Sequence, residues 1–288
     1  MEQVDQNGML YRVEGALTGV IGHYYHIYHT GNYPVIKHLS PNLEIMMIFN
    51  LGGSVRMSFG NTPPEQEIKP GCIVIGPLRT MLNYELSPGA DAIVVNFKLN
   101  GFYRLFKVPA NNLDDEAIYD PDLLTDKYHF EDLRKDLSRF TDIQSKLRLI
   151  SDYIAAFIED NDGAVEPLLS GEQHFYNAAI EPVKAIAAET QLSQRTIQLR
   201  FQKYAGYSPK ELRRFLRFKM VVEQLMKEEK NDIDIFGIIV EFGYFDQSHL
   251  TKDFQHFLGT TPQNFVKQLK GKEFFITGHG PKSEDPIR

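Results

Sequence analysis

The fold of the C-terminal third is decided by two stretches of one pattern, PVKAIAAETQLSQRTIQLRFQKYAG (182–206) and IFGIIVEFGYFDQSHLTKDFQHFLG (235–259). Each stretch contains an apolar helix pattern, a tight turn and a second helix that begins at a polar residue. Ser193 and Asp246 occupy these starting positions, and their side-chain oxygens can accept backbone N–H groups that would otherwise lack partners. Both stretches therefore predict a helix-turn-helix unit.

A long basic helix is predicted between the two units, from Pro209 to Glu229. Its roughly 21 residues would span about 32 Å at 1.5 Å per residue. One turn of B-DNA is about 34 Å, which separates successive major-groove faces. A straight helix of this length would place the two units at adjacent sites on DNA.

The charge is unevenly distributed along the chain. The 288 residues have a formal net charge of −7. The first 180 residues carry 24 acidic and 14 basic side chains, whereas residues 181–270 carry 11 acidic and 14 basic ones. A local basic excess favours contact with phosphate, so we expect the C-terminal region to be the part that binds nucleic acid.

The runs LSQRTIQLRFQKYAGYSPKELRRFLRF (192–218) and GYFDQSHLTKDFQHFLGTTPQNF (243–265) resemble the AraC/XylS family of bacterial transcription regulators. The resemblance covers roughly 90 residues and includes both units in the family's order and spacing. It implies recognition helices in adjacent major grooves and double-stranded DNA as the partner. RNA polymerase, a small-molecule effector and a second copy of the chain are further candidate partners, with no cofactor and no membrane.

The resemblance also implies which residues meet DNA. The positions that correspond to base-contacting residues hold Arg195, Gln198, Leu199, Gln247, Ser248, His249 and Lys252. Arginine can pair with guanine and glutamine with adenine through two hydrogen bonds each. Candidates for phosphate contacts are Arg200, Lys203, Arg213 and Arg217. For the arginines of the connecting helix, a solvated helix face is the alternative.

Three positions depart from the family pattern. Leu199 stands where arginine is frequent, and Ile239 replaces the small residue that lets two helices approach closely. Gln191 occupies the first turn, where glycine is frequent. If this turn requires a positive φ, glutamine costs on the order of 1 kcal/mol there.

The first 110 residues have a β pattern, with short branched and aromatic runs separated by Gly, Pro and Asn turns. Such spacing predicts a sandwich or small barrel. The runs IFNLGG (48–53) and IVIGP (73–77) look like the cupin-like sensor domain found ahead of some AraC-type readers. That likeness implies a domain that binds a small effector, dimerises, or does both.

An effector pocket would lie inside this β domain and would be mostly apolar. Its candidate lining residues are Met46, Ile48, Met57, Ile73, Tyr84 and Val94. Arg79 could pair with a ligand carboxylate or phosphate. The candidate effector-binding set is thus Arg79, Tyr84 and Met46. The alternative is that the lining residues are ordinary core and that Arg79 is a surface residue.

The sequence predicts an α+β chain of two domains. A β-rich domain with a helical end covers 1–160, a linker 161–172, an all-α DNA-binding domain 173–270 and a flexible tail 271–288. An apolar stripe at helical spacing in 143–158 indicates a helix that either covers the β domain or contacts a second copy.

Catalytic and metal chemistry have weak sequence support. His23 and His29 would share one strand face and His26 the other, and no His-x-His pair followed by Glu is present. We therefore predict no metal site and no enzyme. Cys72, the single cysteine, reads as a buried hydrophobe, and the chain is expected in the cytoplasm. Two alternatives stay open: a metal-dependent cupin-like enzyme with a helical scaffold, and a ligand-independent regulator whose β domain only dimerises.

Overall fold

The computed structural model describes residues 2–160, 163–177, 180–227, 233–268 and 274–275. The strands in this part of the chain are β1 (Glu2–Asp5), β2 (Gly8–Arg12), β3 (Ile21–Tyr28), β4 (Val35–Leu39), β5 (Met46–Asn50), β6 (Val55–Phe59), β7 (Gln66–Ile68), β8 (Gly71–Ile75), β9 (Leu82–Leu86), β10 (Asp91–Phe97), β11 (Ile118–Tyr119) and β12 (Phe274–Phe275). The α-helices are α1 (Gly101–Phe106), α2 (Pro121–Leu124), α3 (Phe130–Leu137), α4 (Ile143–Phe157), α5 (Glu166–Gly171), α6 (Pro182–Thr190), α7 (Gln194–Ala205), α8 (Pro209–Lys227), α9 (Ile235–Phe242), α10 (Gln247–Leu258) and α11 (Pro262–Gln268).

The strands form two sheets. The order in the seven-stranded sheet is β1-β2-β3-β10-β5-β8-β11, and in the five-stranded sheet it is β12-β4-β9-β6-β7. Strand pairs are antiparallel, except that β12 runs parallel to β4. The sheets do not pair with each other in the described residues, so the domain is an open two-sheet structure. The mostly β N-terminal domain predicted from the sequence is confirmed.

Side chains alternate between two environments along the central strands. On β5, Met46, Ile48 and Asn50 line the space between the sheets. Met47 and Phe49 are fully buried on the opposite face, in a cluster that also contains α1, α3 and α4 side chains. One face of the large sheet thus lies under helices while the other faces the second sheet.

Helix α4 covers the β domain with the apolar stripe seen in the sequence. Leu147, Ile150 and Ile154 are buried in the same cluster as the sheet residues. Of the two interpretations of the stripe, the structure shows the packed helix. The helix begins at Asp142, whose carboxylate accepts the backbone N–H of Ser145 at 2.8 Å.

The C-terminal domain is all-α, as predicted. Helices α6 and α7 form the first helix-turn-helix unit, and α9 and α10 form the second. Helix α8 joins them with 19 residues, about 28 Å of helix. It ends at Lys227 in the described residues, and the predicted end at Glu229 lies outside them.

The predicted linker is helical in its second half. Val165 and Leu168 are fully buried in a cluster with Phe201 of α7, so α5 packs on the first unit. Residues 161–162 and most of the predicted tail lie outside the described part of the chain. Within the tail, Phe274 and Phe275 form β12 and pair with β4. In the part of the chain described, we find no helix with the length and apolar character needed to span a bilayer.

Candidate nucleic-acid interface

Both recognition helices begin at the capping residues identified in the sequence. The Ser193 hydroxyl oxygen accepts the backbone N–H of Thr196 at 3.0 Å, and an Asp246 carboxylate oxygen accepts that of His249 at 2.7 Å. These bonds satisfy donors at the first turns of α7 and α10. They fix the N-terminal ends that would enter a major groove.

The side chains predicted to contact bases lie at or near the surface on these two helices. Arg195, Gln198 and Leu199 are exposed on α7, with Leu199 at 48%. On α10 the exposed residues are Gln247, Ser248 and Lys252, while His249 is half-buried. The structure therefore presents six of the seven side chains to solvent, and their contacts with DNA remain a prediction.

Phe245 belongs to the same surface and was missed by the sequence reasoning. It is 90% exposed in the turn directly before the cap of α10. An aromatic side chain at this place can contact a thymine methyl group. Its position in the sequence could have indicated this exposure, because an aromatic residue in the turn between two helices does not lie on the apolar face of either helix.

The four candidates for phosphate contact are in different environments. Arg213 is exposed. Arg200 donates to the carbonyl oxygen of Ala164 at 2.9 Å, and the Lys203 ammonium lies 4.7 Å from the Tyr103 ring centroid. The Arg217 guanidinium lies 4.3 Å from the ring centroid of Tyr244 and reaches into the domain. Arg213 is the most exposed of the four candidates and therefore has the clearest access to a phosphate.

The second recognition helix is anchored to α8 by a buried carboxylate. Asp253 of α10 is fully buried and accepts hydrogen bonds from Arg214 Nε at 2.6 Å and Arg217 Nη2 at 3.3 Å. Arg217 Nη2 also lies 3.1 Å from His249 Nε2. Because a buried carboxylate is stable only when it is paired, this cluster fixes the angle between α8 and α10.

The C-terminal ends of both recognition helices contact the β domain. Gly206 caps α7 with φ +84°, and a Cβ there would stand 2.7 Å from Pro77 and 3.1 Å from the Ala110 carbonyl oxygen. Gly259 caps α10 with φ +65°, and its carbonyl oxygen accepts from Asn61 Nδ2 at 3.4 Å. The N-terminal ends of both helices, which would enter the major groove, lie away from these contacts with the β domain.

One loop of the β domain, residues 76–81, reaches both units. Arg79 donates to Glu211 of α8, to Asp115 and to the carbonyl oxygen of Gly206. Met81 N–H donates to the carbonyl oxygen of Phe257 in α10 at 3.2 Å. Arg79 therefore joins the two domains and does not line the cavity of the β domain. This position differs from the role of ligand partner predicted for it from the sequence.

A cavity lies between the two sheets. The volume open to the centre of a water-sized sphere is about 80 Å³. All six residues proposed as its lining from the sequence do line it, including Met46 and Tyr84. Their alternation along the strands places them there, since every second side chain faces the opposite sheet.

The three histidines weighed as metal ligands in the sequence have different partners. His23 faces the cavity and its Nε2 lies 2.9 Å from Asn96 Nδ2. His26 pairs with Asp91 at 2.8 Å, and His29 lies 2.7 Å from the Tyr33 carbonyl oxygen. Among the described residues no three His, Cys, Asp or Glu side chains are grouped so that they could hold a metal ion. Cys72 is buried, as expected.

These features define a class: a DNA-binding protein that presents two helix-turn-helix units on one connecting helix. Residues 186–268 match a family model described as a helix-turn-helix domain. The resemblance to the AraC/XylS family is thereby confirmed for the C-terminal domain, and the chain is a DNA-binding transcription regulator.

The chain is also similar to solved structures at low identity. It is 14% identical to ToxT from Vibrio cholerae, over 86% of this chain and 98% of that one, with a TM-score of 0.40. A ToxT structure with bound unsaturated fatty acid is 13% identical over 97% of this chain and 100% of that one, with a TM-score of 0.39. The AraC-like transcriptional activator CuxR is 12% identical over 75% of this chain and 85% of that one, with a TM-score of 0.25. Comparison with curated proteins gives no match.

Proposed function

We propose that this regulator reads two adjacent major grooves and is controlled by a small molecule held in the cavity of the β domain. The observation that carries the first part is the pair of capped recognition helices with exposed polar side chains, joined by α8. At about 28 Å, this helix approaches the repeat of B-DNA. Base contacts would come from both helices, and phosphate contacts from Arg213.

Control by the cavity would act through the loop 76–81. This loop connects β8 to β9, and both strands contribute cavity-lining side chains, Ile73 on one and Leu82 and Tyr84 on the other. The loop itself contacts α7, α8 and α10 through Arg79 and Met81. A ligand that displaced either strand would bias how the two units sit, provided that it binds the two arrangements with different affinity.

The experiment is competition binding with a duplex selected from a random-sequence library. Arg195→Ala and Gln247→Ala should each weaken binding to this duplex by roughly 1–3 kcal/mol and relax the preference at one base pair. Arg213→Ala should instead weaken matched and scrambled duplexes alike and reduce the salt slope by about one unit.

Selection that enriches no sequence, or equal affinity of the wild type for matched and scrambled duplexes, would refute sequence-specific reading. RNA polymerase and a second copy of the chain as partners, and a cytoplasmic location, stay predictions. A regulator without a ligand remains the alternative for the β domain, and the cavity is the observation that favours a ligand.

A further inference from the structure

The walls of the cavity carry no formal charge. None of the side chains that line it is Asp, Glu, Lys or Arg. His23 does not supply a charge either. Its Nε2 accepts a hydrogen bond from Asn96 Nδ2, and burial lowers the pKa of the imidazole to about 4. A charged ligand would therefore lose its water without gaining a countercharge, which is unfavourable.

The cavity has one buried acceptor without a partner. Asn50 is 3% exposed and faces the cavity at the end of β5, on the same side as Met46 and Ile48. Its Nδ2 donates to the carbonyl oxygen of Gly53 at 2.9 Å, which fixes the orientation of the amide. Its Oδ1 is buried and accepts no hydrogen bond. An acceptor left in this state is costly, and a ligand with a donor would remove that cost.

The size of the cavity limits the ligand. One water-sized group needs roughly 10–15 Å³ of such volume, so a cavity of about 80 Å³ holds roughly five to eight of them. Apart from Asn50 and the His23–Asn96 pair, the walls are aliphatic side chains, two methionines and two tyrosines. Asn50 and the His23–Asn96 pair lie at opposite ends of β10, because Ala92 is paired with Asn50 and Asn96 with His23.

We infer that the cavity binds an uncharged, largely apolar molecule of about five to eight non-hydrogen atoms that donates a hydrogen bond to Asn50 Oδ1. A phenol or a short alcohol has this chemistry. The inference rests on the proposed function in one respect, namely that the occupant of this cavity is the effector.

Calorimetric titration of the full-length protein tests the ligand class with two isosteric pairs. Phenol and toluene differ in the donor, and pentanamide and pentanoate differ in charge. We expect phenol to bind roughly threefold to tenfold more tightly than toluene, the range that one hydrogen bond supplies. We expect pentanamide to bind and pentanoate to show no heat at the same concentrations.

The variant Asn50→Leu tests whether Asn50 causes the preference for phenol over toluene. The variant should bind toluene at least as well as phenol, because the acceptor is gone. Met46→Leu is the matched control, a change of similar volume on the same strand face, and it should keep the preference for phenol. If Asn50→Leu does not fold, the relative affinities of the four ligands for the wild type still test the inferred ligand class.

The inference is overturned if toluene equals phenol in the wild type, if pentanoate binds as well as pentanamide, or if none of the four binds. Affinity for the selected duplex, measured in the same samples with and without phenol, separates this from the proposed function. If phenol binds but the protein shows no specific DNA binding, only the proposed function is refuted. Specific DNA binding that phenol does not change would refute the effector role.

Discussion

The two helix-turn-helix units share a sequence pattern and both contact the β domain, but different charged side chains hold their recognition helices. The recognition helix of the second unit, α10, is anchored inside the C-terminal domain by the buried Asp253 and two arginines of α8. The first, α7, has charged contacts with the β domain, where Arg79 reaches the Gly206 carbonyl and Lys203 lies over Tyr103.

The difference indicates where control enters. The angle between α10 and α8 is set by residues of one domain, so we expect it to survive a movement of the β domain. The position of α7 is set partly by the β domain, which also contains the cavity. A ligand in the cavity should therefore change DNA contacts of the first unit more than those of the second.

The largest effect is expected from Asp253→Ala, which removes the anchor of the second unit. Loss of one partner of a buried ion pair costs about 3–5 kcal/mol. Arg214 and Arg217 are 37% and 25% exposed and can be hydrated afterwards, so we expect the lower end, about 3 kcal/mol. Urea unfolding of the full chain measures the change.

The exposed Glu241 of α9 provides the control for Asp253→Ala. Glu241→Ala removes a carboxylate from the same unit and should stay within about 0.5 kcal/mol of the wild type. A loss below 1 kcal/mol in Asp253→Ala would contradict the anchoring role of the cluster.

A second, smaller effect is expected where the first unit contacts the β domain. Gly206→Ala combines the strain of a left-handed residue, about 1 kcal/mol, with a Cβ placed 3.1 Å from the Ala110 carbonyl oxygen. The proline ring nearby can shift, but the backbone oxygen cannot do so easily. We expect a total loss of about 2 kcal/mol.

Gly243→Ala is the matched control in the second unit. Gly243 also has a left-handed backbone, with φ +66°, but among the described residues, its own chain neighbours aside, no atom lies within 4 Å of where its Cβ would be. Gly243→Ala should therefore lose only the stability that the left-handed strain costs, about 1 kcal/mol. Equal losses in the two variants, again by urea unfolding, would show that the contact of Gly206 with the β domain adds nothing.

Local rules made part of this molecule predictable from its sequence. Ser193 and Asp246 were identified as caps because capping depends on neighbouring residues. The candidate cavity lining could be chosen among residues of the predicted strands, but not told from ordinary core, because strand alternation does not show which face borders a cavity. The partners of Arg79 could not be found in this way, since Glu211 lies 132 residues further along the chain. Asp253 was missed because an acidic residue on a helix is usually exposed, and only the tertiary structure places two arginines beside it.

The smallest effect concerns the turn of the first unit, where sequence and structure agree on a strained residue. Gln191 caps α6 with φ +58°, the left-handed conformation that glycine adopts without strain. Gln191→Gly should relieve strain of about 1 kcal/mol, less the extra entropy that glycine gives the unfolded chain, for a net gain of about 0.5 kcal/mol. Gln191→Ala keeps the strain and serves as the control. A thermal unfolding midpoint raised in the glycine variant alone is the expected result. Equal midpoints in the two variants would mean that the surrounding turn already absorbs the strain.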